Sequence, residues 1–367
     1  MRAAVVPIRD LGPGEIAAWS ALAGRAVQPN PLFEPTCLVP AARHLANGDD
    51  MVVAVAEEGG RWYGCVPLCP APMWRALRRP VLVTQLRRMT YDATPLVDRE
   101  RPEEAAACLV EGLRGAARGG TPGLVVLDWL DEGPAAAAFR EACHRAGAVH
   151  RVYQSWERPM LHRRDGEDHR DRHSGKFLYN VRRMRRRLAQ AEGGAVAMVD
   201  RSAGRDGPEV VMAMEERGYK GRSGLAVLGH PGEPEWFRAM CDGFRDDGRL
   251  HVQTLEVGDR PVAAQLLLQA QDGLFLLKTT FDEAYAGYSP GVQLHLDAVD
   301  HLQATTDAAW IDTCTYPGNE TLLRLYPDRR GVCSVVMATG GMVERSALRA
   351  VWSAREALWR GRRARSR

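Results

Sequence analysis

The sequence predicts an α/β (α+β) fold of two related lobes, each a mixed twisted sheet flanked by helices. Three observations predict it. Short apolar runs rich in strand-forming residues alternate along the chain with segments of helical periodicity. The chain has 367 residues, 45% of them hydrophobic, enough for two cores. A glycine-centred hairpin pattern also recurs 199 positions on: Glu57, Gly59 and Arg61 fall on Glu256, Gly258 and Arg260, and Gly64 on Ala263. Charged residues make up 26%, which excludes wholesale disorder. No apolar run approaches the length of a membrane span.

In chain order, residues 3–8 read as a strand and 15–27 as a helix. Residues 30–45 open on Asn-Pro and read as a kinked helical segment. Residues 51–57 and 61–69 flank Glu58-Gly59-Gly60 as a hairpin. A helix over 102–118, a buried strand over 124–129, a helix over 135–146 and a strand over 149–157 complete the first half. The second half repeats the plan. Helices are predicted at 176–191, 209–217, 235–244, 292–303 and 344–359, and strands at 195–199, 250–257, 261–270, 273–280, 309–313 and 332–338. The charged stretch 163–173 reads as a linker between lobes 1–162 and 174–367.

The net charge of +3 is unevenly placed. Residues 151–190 carry 12 Lys/Arg against 5 Asp/Glu, and residues 344–367 carry 8 against 2. Two basic segments on an acidic body point to an anionic partner, although a solvated helix face and a frayed tail at 360–367 account for the same charges. Eight scattered cysteines without a CxxC pair point to a reducing, cytoplasmic setting, and no signal-peptide h-region opens the chain. The ten histidines form no HExxH pattern, so no metal is expected.

Four segments have residues suited to chemistry. The 176–191 helix carries one apolar stripe, Phe177, Val181, Met184 and Leu188, with Ser174 as N-cap and Gly193-Gly194 as its stop. Arg182, Arg183, Arg185, Arg186 and Arg187 cover the rest, either as a platform for phosphate or carboxylate or as an interface paired with acids. Second, the strand ending at Lys278 runs through Asp282, Tyr285 and Tyr288-Ser289-Pro290-Gly291-Val292 into a helix. Small residues at a helix entrance let backbone N–H groups face a pyrophosphate. No GxxxxGK[ST] or GxGxxG is present. Third, polar residues crowd the end of a buried strand in Asp312-Thr-Cys314-Thr-Tyr316-Pro-Gly-Asn319. Asp312 and Tyr316 are the acid/base candidates there, with Asp282 and Tyr285 behind them; Cys314 reads as a buried thiol. Fourth, Gly218-Tyr-Lys220-Gly221 reads as a turn presenting Lys220, to hold an acidic acceptor, to stabilise developing negative charge, or simply as a solvated lysine.

Taken in order, these pieces resemble the GNAT-type acyltransferases of the CelD group, relatives of the FemAB peptidyl transferases. The resemblance rests on residues 30–34 (NPLFE), 94–98 (TPLVD), the Arg-rich helix 180–188, residues 218–224 (GYKGRSG), 281–291, 311–314 (IDTC) and Trp352. It implies two GNAT-like lobes and acyl transfer from a thioester, acyl-CoA and most simply acetyl-CoA, to an amine or hydroxyl of a small-molecule or glycan-type acceptor. It places the donor pyrophosphate at Tyr288, Ser289, Gly291 and Val292. Arg182, Arg183, Arg186, Lys278, Asp282, Tyr285 and Asn319 then serve the substrates, and Asp312, Tyr316 and Lys220 the chemistry. The family's pyrophosphate signature is reduced here to Gly291, and Leu323-Arg324 stands where many relatives carry a lysine. FemAB relatives use aminoacyl-tRNA, so a tRNA-dependent transferase is one alternative and a non-catalytic GNAT-like module for an anionic ligand is the other.

Overall fold

The computed structural model describes residues 1–72, 79–84 and 91–365, with 355–365 described by their backbone. The side chains of the basic tail at 360–367 therefore lie outside the described residues. In chain order the elements are β1 (Arg2–Pro7), α1 (Pro13–Ala23), α2 (Pro35–His44), β2 (Val52–Glu58), β3 (Arg61–Ala71), β4 (Val81–Val83) and β5 (Leu96–Val97). Then come α3 (Pro102–Arg118), β6 (Leu124–Asp131), α4 (Pro134–Arg145), β7 (Val149–His162), α5 (Gly175–Glu192), β8 (Val196–Asp200), α6 (Asp206–Arg217), α7 (Tyr219–Arg222) and α8 (Glu233–Asp246). The chain closes with β9 (Leu250–Val257), β10 (Arg260–Ala270), β11 (Gly273–Phe281), α9 (Pro290–Thr305), β12 (Trp310–Asp312), α10 (Glu320–Leu325), β13 (Asp328–Ala338) and α11 (Met342–Arg365).

Two compact units divide the chain: Met1–Ala42, Asn47–Trp156 and Gly331–Arg367 form one, and Arg43–Ala46 with Glu157–Arg330 the other. This differs from the boundaries read in the sequence. The stretch 163–173 belongs inside the second unit because its charges find partners there. Arg170 pairs with Asp297 (2.9 Å) and Asp300 (2.6 Å), and Arg172 with Asp328 (2.6 Å). The last segment, from Gly331, returns to the first unit, where β13 pairs antiparallel with β6.

Each unit has the same strand plan. In the first, the order β1-β2-β3-β4-β6-β13 has one parallel pair, β4 with β6. In the second, the order β8-β9-β10-β11-β12-β7 has one parallel pair, β11 with β12. The hairpins repeat in register as well as in sequence. Ala56 faces Gly64 and Glu57 faces Trp62, leaving Tyr63 as a bulge. Leu255 faces Ala263 and Glu256 faces Pro261, leaving Val262 as the bulge 199 positions on. Gly59 (φ 60°) and Gly258 (φ 58°) take the left-handed turn that glycine adopts without strain.

The helices of the second unit bury the faces their periodicity predicts. From α8, Trp236, Phe237, Met240, Cys241 and Phe244 go inside, and from α9, Leu294, Leu296, Ala298, Val299 and Leu302. In α5 the Ser174 side chain accepts from the Phe177 N–H (3.2 Å), Gly193 takes the left-handed stop, and Leu188 is buried.

Candidate active site

The parallel pair of the second unit is short. Gly273, Leu274 and Phe275 of β11 face Trp310, Ile311 and Asp312 of β12, and there the pairing stops. β11 continues to Phe281, so its carboxyl end overhangs an edge that β12 no longer covers. Gly273 makes the pairing possible, since a Cβ there would lie 2.2 Å from the Trp310 ring.

A cavity of about 300 Å³ opens at this overhang. Its walls come from the end of β11 (Thr279, Thr280, Phe281), the start of α9 (Ser289, Pro290, Gly291, Val292, His295), the α7 turn (Gly218, Tyr219, Lys220) and the start of α10 (Asn319, Thr321, Leu322). This is the general position of ligand sites in open α/β sheets, at the carboxyl ends of parallel strands. At the start of α9 the amides of Gly291 and Val292 belong to the first turn and have no intrahelical acceptor, and the helix dipole favours an anion there. Ser289, the N-cap, is held in the left-handed region (φ 53°) and does not cap its own helix. Such a conformation costs about 1–3 kcal/mol and concentrates at binding sites. A Cβ at Gly291 would meet only Phe281, at 3.9 Å.

Of the residues singled out in the sequence, Lys220, Ser289, Gly291, Val292 and Asn319 line this cavity together. Asn319 caps α10, accepting from the Leu322 N–H (3.2 Å), and donates to Thr315 Oγ1 (3.2 Å). Tyr288 precedes the turn, with the Arg187 guanidinium 6.0 Å from its ring centroid. Lys278 is buried behind the cavity on Glu215 (3.3 Å). Arg182, Arg183 and Arg186 are exposed and form no ion pair among the described residues, whereas Arg185 pairs with Asp297.

The acid/base candidates are placed elsewhere. Asp312 has no exposure; it accepts from the Cys314 N–H (2.7 Å) and from Arg158 (3.4 Å) and Arg330 (3.1 Å). Its oxygens are committed to ending β12 and to two guanidinium groups, which leaves no route to a substrate proton. Tyr316 is 58% exposed and outside the cavity lining. Asp282 accepts from the Ala284 N–H (3.0 Å) as the cap of a turn, and Tyr285 is buried against Arg260. Asp168, His169 and Asp300 come within ligand distance of one another, but the Arg170 guanidinium already sits on Asp300.

Three residues of the site went unread in the sequence. His295 lines the cavity and is 4% exposed, with Nδ1 3.1 Å from the Tyr326 hydroxyl and Nε2 3.4 Å from Thr279 Oγ1. Burial pushes its pKa down to about 4, so it is neutral at physiological pH. Glu215 is fully buried and holds Lys220 (2.5 Å), whose Nζ also donates to the Thr279 carbonyl (2.9 Å). Glu283 fixes the α7 turn, accepting from the Tyr219 N–H (2.7 Å) and pairing with Arg222 (2.6 Å). In the sequence, His295 is one histidine in an apolar helix and Glu215 one acid among several, so neither spacing nor pattern marks them.

Residues 175–321, which contain this whole cavity except the last residue of its lining, match the family described as "Acetyltransferase (GNAT) domain". The fold is that of the GNAT acyltransferases. No curated protein sequence matches the chain. Solved structures with the same fold include FemX, 9% identical, covering 88% of this chain and 95% of that one with a TM-score of 0.59. A conserved protein of unknown function from Bacteroides thetaiotaomicron is 11% identical over 89% of this chain and 99% of that one (TM-score 0.54). L-PGS from Bacillus licheniformis is 12% identical over 92% and 95% (TM-score 0.53). At these identities the likeness is one of fold. Among the described residues no helix is long and apolar enough to cross a membrane.

The placement of Asp312 gives a direct expectation. Asp312→Asn takes the carboxylate charge from between the Arg158 and Arg330 guanidinium groups at a position with no solvent exposure, and is expected to cost roughly 3–5 kcal/mol of stability. Chemical denaturation reads this as a fall in the midpoint. A variant as stable as the parent would return Asp312 to the list of candidates for chemistry.

Proposed function

We propose that the second unit is an acyltransferase of the CelD type, moving an acyl group from acyl-CoA, acetyl-CoA in the simplest case, to an amine or hydroxyl. The observation that supports this reading is the coincidence of three features in one cavity: the uncovered edge of β11, the free first-turn amides of α9, and a neutral buried imidazole. An extended pantetheine arm has amides that suit the open strand edge, and its pyrophosphate suits the amides of Gly291 and Val292. Tyr288 and the exposed Arg182, Arg183 and Arg186 serve the donor's outer charges. The exposed arginine face, with Tyr179 at 55% exposure among it, equally favours an aminoacyl-tRNA donor as the second reading.

The chemistry forms a C–N or C–O bond and breaks the C–S bond, and the acceptor's proton ends on the departing thiolate. With Nδ1–H on Tyr326, the Nε2 of His295 accepts from the Thr279 hydroxyl, which in turn receives the acceptor's proton. The general-base role thus passes from Asp312 to His295 acting through Thr279.

Calorimetry tests the donor. Acetyl-CoA is expected to bind the parent, and Gly291→Val, whose Cβ the fold accommodates, is expected to lose binding by blocking backbone approach. Binding of tRNA in place of acetyl-CoA, falling steeply with salt, would shift the donor to the second reading; CoA binding unchanged in Gly291→Val would move the site. The pH profile tests the base. Because the His295 pKa is depressed, its neutral form persists as pH falls to about 4. Hence kcat/KM is expected to show no imidazole inflection between pH 8 and 6, and His295→Gln to lose about 10²–10⁴-fold in turnover with donor affinity kept. Turnover kept in His295→Gln, or an imidazole inflection near pH 6.5 that persists in this variant, would contradict the assignment.

A further inference from the structure

The cavity is lined by one charged side chain, Lys220, and by no carboxylate. Behind it the charges do not balance. Glu215, with no exposure, takes Lys220 on one carboxylate oxygen (2.5 Å) and Lys278 on the other (3.3 Å). Lys278 is itself 5% exposed, and Glu215 is its one ion-pair partner among the described residues. Glu283, the next acid on the neighbouring turn, is already committed to Arg222 and to the Tyr219 N–H. Two ammonium groups therefore share one carboxylate, the buried Lys278 and the 18%-exposed Lys220, and among the described residues no second carboxylate pairs with either. An uncompensated buried charge is costly, and the cost is relieved by a bound anion. Lys220 is the group placed to receive it. Two of its three N–H donors go to Glu215 and to the Thr279 carbonyl, which leaves one for the cavity it lines.

We infer that the acceptor bears a carboxylate, bound by Lys220 and supported by the Lys278 charge behind it. This rests on the reading of the cavity as the acyl-transfer site, with the donor along the β11 edge and the start of α9 and the acceptor at the α7 wall, and it narrows the acceptor to a small amine or alcohol that carries a carboxylate. A volume of about 300 Å³ is at the low end for ligand pockets and sets the size. The absence of a lining acid disfavours acceptors with a second, permanent cation. An ordinary amine enters neutral, since nothing in the lining stabilises its ammonium form.

The test compares acetate, propanoate and benzoate with acetamide, propanamide and benzamide, by thermal shift and calorimetric titration. It uses the parent, Lys220→Met and, separately, Lys278→Met. The parent is expected to bind the carboxylates at least tenfold more tightly than the amides of the same shape. Lys220→Met leaves Glu215 and Lys278 as a balanced pair, so it is expected to fold with an unchanged or higher melting temperature and to lose the preference. Lys278→Met is expected to keep the preference in weakened form. Equal binding of carboxylates and amides by the parent, or a preference that survives Lys220→Met, overturns the inference. So does a tenfold loss of acetyl-CoA affinity in Lys220→Met, which would assign the charge to donor phosphates. A parent that ignores acetyl-CoA yet shows the Lys220-dependent preference would overturn the donor reading and sustain this one.

Discussion

A buried carboxylate ends β12, and the site of the second unit depends on that ending. Asp312 turns the chain by accepting from the Cys314 N–H two residues on, and Arg158 and Arg330 compensate its charge. Cys314 then takes a left-handed backbone (φ 48°), and the chain leaves the sheet. Because β11 runs on to Phe281 without a neighbour on that side, the two parallel strands stop being a closed surface and become a cleft. The ion pair is more a constraint on shape than a source of stability, since charge desolvation offsets much of its Coulomb energy.

The helix after the overhang completes the cleft. Ser289 in its left-handed conformation aims the first turn of α9, so that Gly291 and Val292 enter the lining beside Thr279 and Thr280. One turn further, His295 reaches the same space, kept neutral by burial and oriented by Tyr326. On the opposite wall α7 is a single turn, too short to hold itself; Glu283 and Glu215 fix it and with it Lys220. Asp312 thus sets the strand edge, Ser289 the helix start, and Glu283 and Glu215 together the lysine turn.

Much of the fold was legible because periodicity is a repeated signal. The long helices α3, α5, α8 and α9 and the hairpins β2–β3 and β9–β10 stand where their patterns put them, and the hairpin repeat extends to the bulge at Tyr63 and Val262. Strands of two or three residues, β4 and β5, and the one-turn α7 carry too few positions to show a period. That Ser289–Val292 form a turn into a helix was legible from the proline and glycine there, and Lys220 from its flanking glycines; both line one cavity. The surroundings of Asp312 were not legible, because a carboxylate at a strand end looks the same in sequence whether it faces a substrate or a buried arginine. Its partner Arg158 lies 154 positions away, on a strand where a charged residue gave no sign of burial. His295 and Glu215 went unread for the same reason: their roles come from long-range neighbours, not from local pattern.

The central claim is that the donor occupies the cleft between the ends of β11 and β12. Amide hydrogen exchange with and without acetyl-CoA tests it residue by residue. Slowed exchange is predicted at Gly291 and Val292 and along the overhang from Leu276 to Phe281, with the paired segment Gly273–Phe275 unchanged. Protection that appears elsewhere in the chain while these amides exchange as before would contradict the account.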